Sequence, residues 1–213
     1  MSDTGTRSPI MKITTQDQLC QEIKNGRTDF SGVNFSGITI DFFSLGLTDQ
    51  ATGRYISTAK IVFNFTDADF TGATITNLLC DHVNFTGAKF TATILKNITI
   101  GINVLLTNTK FIAANITNMN IVEVSYDKLK VKFDSADFTY ATIKQSDLSS
   151  GDFSHAIFTN STLSKDVHLS DDNLYGNETI PQDYLENSIQ QSIHAKELTD
   201  LKNDNVKEGC VLM

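Results

Sequence analysis

The chain of 213 residues has no tryptophan, only two prolines and only three cysteines. Pro9 and Pro181 stand near the two ends, so the interior lacks the usual proline punctuation. Cys20, Cys80 and Cys210 are odd in number and far apart, which excludes a disulfide framework and suits a reducing compartment. No apolar run approaches the roughly 20 residues that cross a bilayer. The opening "MSDTGTRSPIMK" has no apolar segment of the kind a secretory signal needs, so none is expected. Basic charge is also scarce: 17 Lys and Arg against 25 Asp and Glu leave −8 at neutral pH. That balance argues against general nucleic-acid binding, which wants a basic footprint.

What is abundant is phenylalanine at one interval. In "NFTDADFTGATI", Phe65, Phe70 and Ile75 fall every fifth residue. Five steps suit neither helix nor strand: on a helix they rotate the side chain by about 140° from its predecessor, and in a strand an odd step reverses the face. The series begins at Phe30, Phe35, Ile40 and Leu45. It resumes at Phe65 and runs through Phe70, Ile75, Cys80, Phe85, Phe90, Leu95, Ile100 and Leu105. After one extra residue come Phe111, Ile116 and Ile121, and after two more Phe133, Phe138, Ile143, Leu148, Phe153, Phe158 and Leu163. These positions take 11 of the 14 phenylalanines, whereas one position in five would collect about three by chance.

Two residues before each centre the chain prefers something small, as at Ala68, Ala73, Ala88, Ala114, Ala136, Ala141, Ala156, Ser146, Ser161 and Gly151. Asp or Asn often precedes the centre and Ser or Thr often follows it. With this pattern the sequence resembles the pentapeptide-repeat family, roughly Ala-Asp/Asn-Leu/Phe-x-x, from about Thr28 to Leu163. Geometry explains the interval: if five residues make one side of a square coil plus its corner, four units close a coil of about 20 residues and every centre reaches one interior. Stacked coils pair their backbones at about 4.8 Å, no single coil hides its own core, and both ends need covering. The resemblance implies a mainly β fold, a right-handed quadrilateral β-helix, here with short α-helical caps. Roughly six or seven coils are expected. A second ring is not expected at the small position.

The predicted organisation is a tail and capping helix over residues 1–27, the solenoid over 28–174, a helix within 175–201 and a polar tail over 202–213. Thr15 and Gln18 stand at capping-box spacing, Leu19 and Ile23 share a helical face and Gly26 ends it. Interruptions near 46–61 and 122–132 read as lateral loops or hairpins. The second places Lys128, Lys130 and Lys132 on one side, a candidate basic face for a membrane or partner, with a solvated strand face as the plainer reading. Seven Asn-x-Ser/Thr sequons, at Asn34, Asn64, Asn84, Asn97, Asn115, Asn160 and Asn177, read as by-products of the repeat.

The last four residues, Cys210, Val211, Leu212 and Met213, make a C-a-a-X box, with Met favouring farnesyl. A eukaryotic farnesyltransferase would use Cys210 as nucleophile. Gly209, small and adjacent, would let the lipidated tail enter a prenyl-binding carrier. One lipid chain gives marginal, reversible membrane binding. The four histidines, His82, His155, His168 and His194, form no zinc or triad motif, and no phosphate loop is present. No catalytic residue, cofactor or metal is therefore expected.

The resulting expectation is a non-enzymatic, lipid-anchored interaction module with an unknown protein partner. Pentapeptide repeats are mainly bacterial, by the resemblance, and C-a-a-X processing is eukaryotic. Their coexistence suggests a bacterial effector working in a host cytosol and on the cytoplasmic face of its membranes. The alternative is an acidic mimic of DNA, resembling pentapeptide proteins that bind gyrase.

Overall fold

In the computed structural model, the described residues are 10–41, 63–122, 131–170 and 177–188. They form a mainly β solenoid of about five turns with two short helices. Every ladder is parallel. The largest sheet has six strands in the order β1–β3–β5–β6–β8–β10: Thr39–Asp41, Thr74–Cys80, Ile94–Ile100, Asn115–Ile121, Thr142–Lys144 and Thr162–Leu163. Two-stranded pieces, β2–β4 (Phe63–Asn64 and Val83–Asn84) and β7–β9 (Val131–Lys132 and Gly151–Asp152), make another side.

Each coil has four sides, and like sides stack into columns. The first side buries Phe30, Phe65, Phe85, Leu106, Phe133 and Phe153, and the second Phe35, Phe70, Phe90, Phe111, Phe138 and Phe158. The third buries Ile40, Ile75, Leu95, Ile116, Ile143 and Leu163, and the fourth Cys80, Ile100, Ile121 and Leu148. On the second side six phenylalanine rings stack, with neighbouring centroids 4.7 to 5.2 Å apart and planes within 7°. Leu106 corrects the sequence register: it is the buried centre, while Leu105 is 53% exposed, so the extra residue lies before it.

The turn chemistry explains the interval of five. Two residues past nearly every centre the backbone takes a positive φ: 64–70° at Gly32, Gly37, Gly72 and Gly87, and 50–60° at residues such as Asp67, Asn77, Ala92, Asn97, Asn108, Ala113, Asn118 and Tyr140. This left-handed residue turns the corner, and Gly and Asn tolerate it best. One residue before the centre, an Asp or Asn side chain accepts the backbone N–H of the residue after it. Examples are Asn64 to Thr66 at 3.1 Å, Asp69 to Thr71 at 2.9 Å, Asn84 to Thr86 at 2.9 Å and Asp137 to Thr139 at 3.0 Å. The Asn-x-Ser/Thr sequons at Asn34, Asn64, Asn84 and Asn177 are these Asx turns.

The residue two before each centre also points inward, and its size complements the centre. Beside the second-side rings stand Ala68, Ala88, Thr109, Ala136 and Ala156, whereas beside the smaller Cys80, Ile100 and Ile121 stand Leu78, Ile98 and Met119. Close packing at fixed tube width requires that exchange of volume. The expectation that no second ring fits is corrected at Phe63, which is buried two residues before Phe65 with centroids 6.2 Å apart. The buried Thr93 and Thr109 hydroxyls donate to carbonyls of Phe70 (2.9 Å) and Leu106 (2.7 Å).

Both ends are covered. Helix α1, Gln16–Lys24, starts on the predicted capping box, with Gln18 N–H donating to Thr15 Oγ1 at 3.2 Å, and turns out at Gly26 with φ 86°. Leu19 is buried beneath it, and Gln16 Oε1 accepts the Asp41 N–H at 2.7 Å, tying the helix to the edge of β1. At the other end Asn177 donates to the carbonyls of Phe153 (2.7 Å) and Ala156 (2.8 Å), and Thr179 Oγ1 accepts the Phe158 N–H at 2.9 Å. Helical residues 182–188 follow, with Tyr184 buried and its hydroxyl donating to Val167 O at 2.7 Å.

The sequence interruption at 46–61 falls outside the described residues, as do residues 123–130 of the second interruption. Val131 and Lys132 already belong to the rod, paired in register with Gly151 and Asp152.

Candidate functional site

Cys210, Val211, Leu212, Met213 and the adjoining Gly209 lie outside the described residues, as do Lys128 and Lys130. Lys132 is exposed on the first side, next to Asp152 in its ladder, with Asp134 two residues on. An opposite charge in register offsets it, so this part of the candidate basic face stands among carboxylates.

The other two thiols are structural. Cys80 is buried in the fourth-side column beside Ile100, and burial, with a smaller contribution from the Asp81 charge, pushes its thiol well above the ordinary range. A thiol held in its protonated form is a poor nucleophile. Cys20 packs half-buried against the core from α1.

The described histidines stay apart. His82, half-buried at a corner with φ 54°, lies 3.1 Å from the Asn103 amide. His155 pairs with Asp134 at 3.3 Å on the surface, and the hydrogen bonds from Ser149, with a smaller contribution from exposed His168, hold the Asp147 carboxyl below its ordinary value. Among the described residues no group of three metal-ligating side chains converges, and no helix is long and apolar enough to cross a membrane.

The outer surface sorts its charges by side. The first side and its corner carry Asp29, Asp67, Asp134 and Asp152 against Lys132. On the second side, one outward column reads Asn34, Asp69, Lys89, Lys110, Asp137 and Ile157, with Lys110 and Asp137 3.9 Å apart. The six-stranded sheet makes the third side, and β3, β5 and β6 run on from it to the fourth. From β3 to β10 its outward positions hold Thr74, Thr76, Ile94, Lys96, Asn115, Thr117, Thr142, Lys144, Thr162 and Ser164, with no carboxylate among them. The adjoining corner carries a ladder of side-chain amides: Asn77 donates to Asp41 (3.0 Å), Asn97 to Asn77 (2.9 Å) and Asn118 to Asn97 (2.9 Å).

Two departures from strict period share one edge. The extra residue around Gly101–Asn103 and the chain between Val122 and Val131 both fall between the fourth and first sides. The chain between Asp41 on the third side and Phe63 on the first lies outside the described residues. Beside the edge between the fourth and first sides stand the exposed apolar residues Ile102 (37%), Leu105 (53%) and Val122 (50%). Sequence reasoning missed this clustering, because it follows only from knowing which side each centre occupies.

The family described as pentapeptide repeats matches eight copies over residues 64–99 and 130–165. No curated protein matches. Among solved structures, a trypsin-treated variant of QnrB1, a plasmid-mediated fluoroquinolone resistance protein, is 16% identical, with 70% of this chain and 72% of that one covered and a TM-score of 0.32. The pentapeptide repeat protein Rfr23 from the cyanobacterium Cyanothece 51142 is 15% identical, covering 74% and 96%, at TM-score 0.29. HetL, a pentapeptide repeat protein involved in heterocyst differentiation regulation in Nostoc sp. strain PCC 7120, is 15% identical, covering 75% and 94%, at TM-score 0.19.

Proposed function

We propose that this pentapeptide-repeat solenoid is a non-enzymatic protein-interaction module, carried to membranes by a farnesyl group on Cys210. The observation that carries the reading is the C-a-a-X sequence Cys210–Met213. In the proposed reaction a farnesyltransferase supplies farnesyl diphosphate. The Cys210 thiolate attacks its first carbon, a thioether forms, the carbon–oxygen bond breaks, and diphosphate leaves with the thiol proton lost to solvent. Gly209 beside the lipidated cysteine presents no side chain to a prenyl-binding carrier.

The rod suits a partner-presenting role. Its interior is filled by stacked side chains, and what it offers outside is a set of long, regular columns held by backbone ladders. The edge where the sequence departs from its period gathers exposed Ile102, Leu105 and Val122, and apolar exposure of that kind suits a protein partner. Repeats of bacterial type joined to a eukaryotic lipidation signal support a bacterial effector acting in a host cell. Mimicry of DNA is weakened by Lys89, Lys96, Lys110, Lys132 and Lys144, which interrupt the described outer columns.

The test is expression of the wild type and Cys210→Ser in eukaryotic cells, followed by fractionation and intact mass. The wild type is expected in the membrane fraction with the mass of one farnesyl group, less the three residues trimmed from its end. Cys210→Ser is expected in the soluble fraction without it. Equal membrane association of the two, with no lipid mass on the wild type, would remove the reading.

A further inference from the structure

One lipid chain leaves membrane attachment marginal, so stable residence takes a second contact with the bilayer. The charge distribution of the rod places candidates unevenly. In a chain of net charge −8, the outward strand positions of the third side from β3 to β10 hold no carboxylate; Asp41 on β1 and Asp166, which accepts from the Ser164 hydroxyl and the Gln145 N–H, border them. Lys96 and Lys144 stand exposed there, two coils apart in the same outward column with Thr117 between them. Among the described residues neither lysine makes an ion pair, unlike Lys110 on the second side. Beside Lys96 the apolar Ile94 is 48% exposed, and threonine hydroxyls occupy most of the remaining positions. The first side, opposite in the coil order, carries Asp29, Asp67, Asp134 and Asp152 against Lys132, with Arg27 beside Asp29.

We propose that the third side is the face this protein lays against an anionic lipid bilayer. The sheet's parallel strands hold both lysines on one surface, so both reach the headgroup layer together. Threonine hydroxyls donate to phosphate oxygens, and Ile94 enters the interface beside Lys96. The opposite, acidic side is turned to solvent, so a negatively charged protein meets a negatively charged membrane in one orientation. This deepens the lipid-anchor reading and rests on it for biological purpose, while its physics is independent of the lipid on Cys210.

The unlipidated full chain is mixed with vesicles of phosphatidylcholine alone or with one-third phosphatidylserine, and binding is read by co-sedimentation at low and physiological salt. Each lysine near an anionic surface contributes about 1 kcal/mol. The two together therefore favour the anionic vesicles by roughly tenfold or more, an advantage that salt weakens. Lys96→Glu/Lys144→Glu is expected to abolish the preference. Lys89→Glu/Lys110→Glu, which changes net charge equally on the neighbouring side, is expected to keep most of it. Equal binding to both vesicles, or equal loss in the two variants, would overturn the proposal. Binding to polyglutamate without binding to vesicles would overturn it too and assign the face to an acidic protein. Because no lipidated protein is used, a failure here leaves the Cys210 reading standing, and a bare Cys210 in cells leaves this one standing.

Discussion

Replacing Phe90 by alanine tests whether the second-side column is one continuous packed stack. Phe90 is 4% exposed and lies between Phe70 and Phe111, at 4.9 Å and 1° from one ring and 5.2 Å and 7° from the other. Phe85 meets it edge-on at 5.5 Å. Truncating a buried phenylalanine costs about 3–5 kcal/mol from lost transfer energy and the cavity left behind. Aromatic pairs add about 0.5–1.5 kcal/mol each beyond area. The small neighbour Ala88 and the ladder-bound backbone leave little means of collapse into the hole. The upper part of the range, about 4–5 kcal/mol, is therefore expected.

That loss is comparable to the whole stability of a marginal domain. The measurement is urea unfolding followed by far-ultraviolet circular dichroism. Phe90→Leu serves as a control: it retains most of the apolar volume but no ring, and should recover more than half of the loss. Stacked coils contact only their neighbours, so hydrogen exchange in Phe90→Ala should accelerate first over the coils holding Phe70, Phe90 and Phe111. A loss below about 1 kcal/mol would place the ring at a surface rather than in a core and refute the column. A leucine variant as damaged as the alanine one would show that ring stacking outweighs filled volume at this position.

Other perturbations test the corners and the turns. Ala92 and Tyr140 hold positive φ of 53° and 60° at positions where Gly37 and Gly72 stand in other coils. Ala92→Gly and Tyr140→Gly should each raise stability by about 0.5–1 kcal/mol, read from the urea midpoint; a lower midpoint in either would contradict the left-handed corner. A Cβ on Gly151 would come within 2.5 Å of the Phe153 ring and 2.7 Å of Ile121 Cδ1. Gly151→Ala should therefore destabilise by about 1–3 kcal/mol through overpacking, and a neutral result would show the tube wider than described. Asp147 accepts hydrogen bonds from the Ser149 hydroxyl (2.6 Å) and N–H (3.1 Å), which with the His168 charge hold its carboxyl below the ordinary value. A depressed folded-state value stabilises above the unfolded pKa of about 3.9, and that stability is lost as pH falls through the folded one. Asp147→Asn keeps an Asx acceptor without the titration, so the gap between wild type and variant should narrow from pH 6 to pH 3. A constant gap would remove the charge from the account.

The architecture is legible because the repeat writes it many times. A single Phe-x-x-x-x-Phe carries little information, but a column such as Phe35, Phe70, Phe90, Phe111, Phe138 and Phe158 leaves one arrangement that buries them all. The α1 cap is legible from Thr15, Gln18 and Gly26, each of which acts through local backbone geometry. Leu105 reads as a centre because two leucines stand side by side and the single extra residue has no hydrophobic signature. The corner settles the choice: Asn108, at φ 57°, lies two residues beyond Leu106, as Asp67 lies beyond Phe65. The register is thus carried by the turn residue as firmly as by the apolar one.

The sorting of charge by side is illegible for a different reason. Lys96 and Lys144 are 48 positions apart, and Lys110, between them in sequence, belongs to another side. Only the count of residues per coil, including the inserted ones, assigns them. The extra residue between Ile100 and Leu106 and the chain between Val122 and Val131 change that count, while the sheet keeps its register across both. The edge between the fourth and first sides thus differs in length from coil to coil while the six-stranded sheet stays in register.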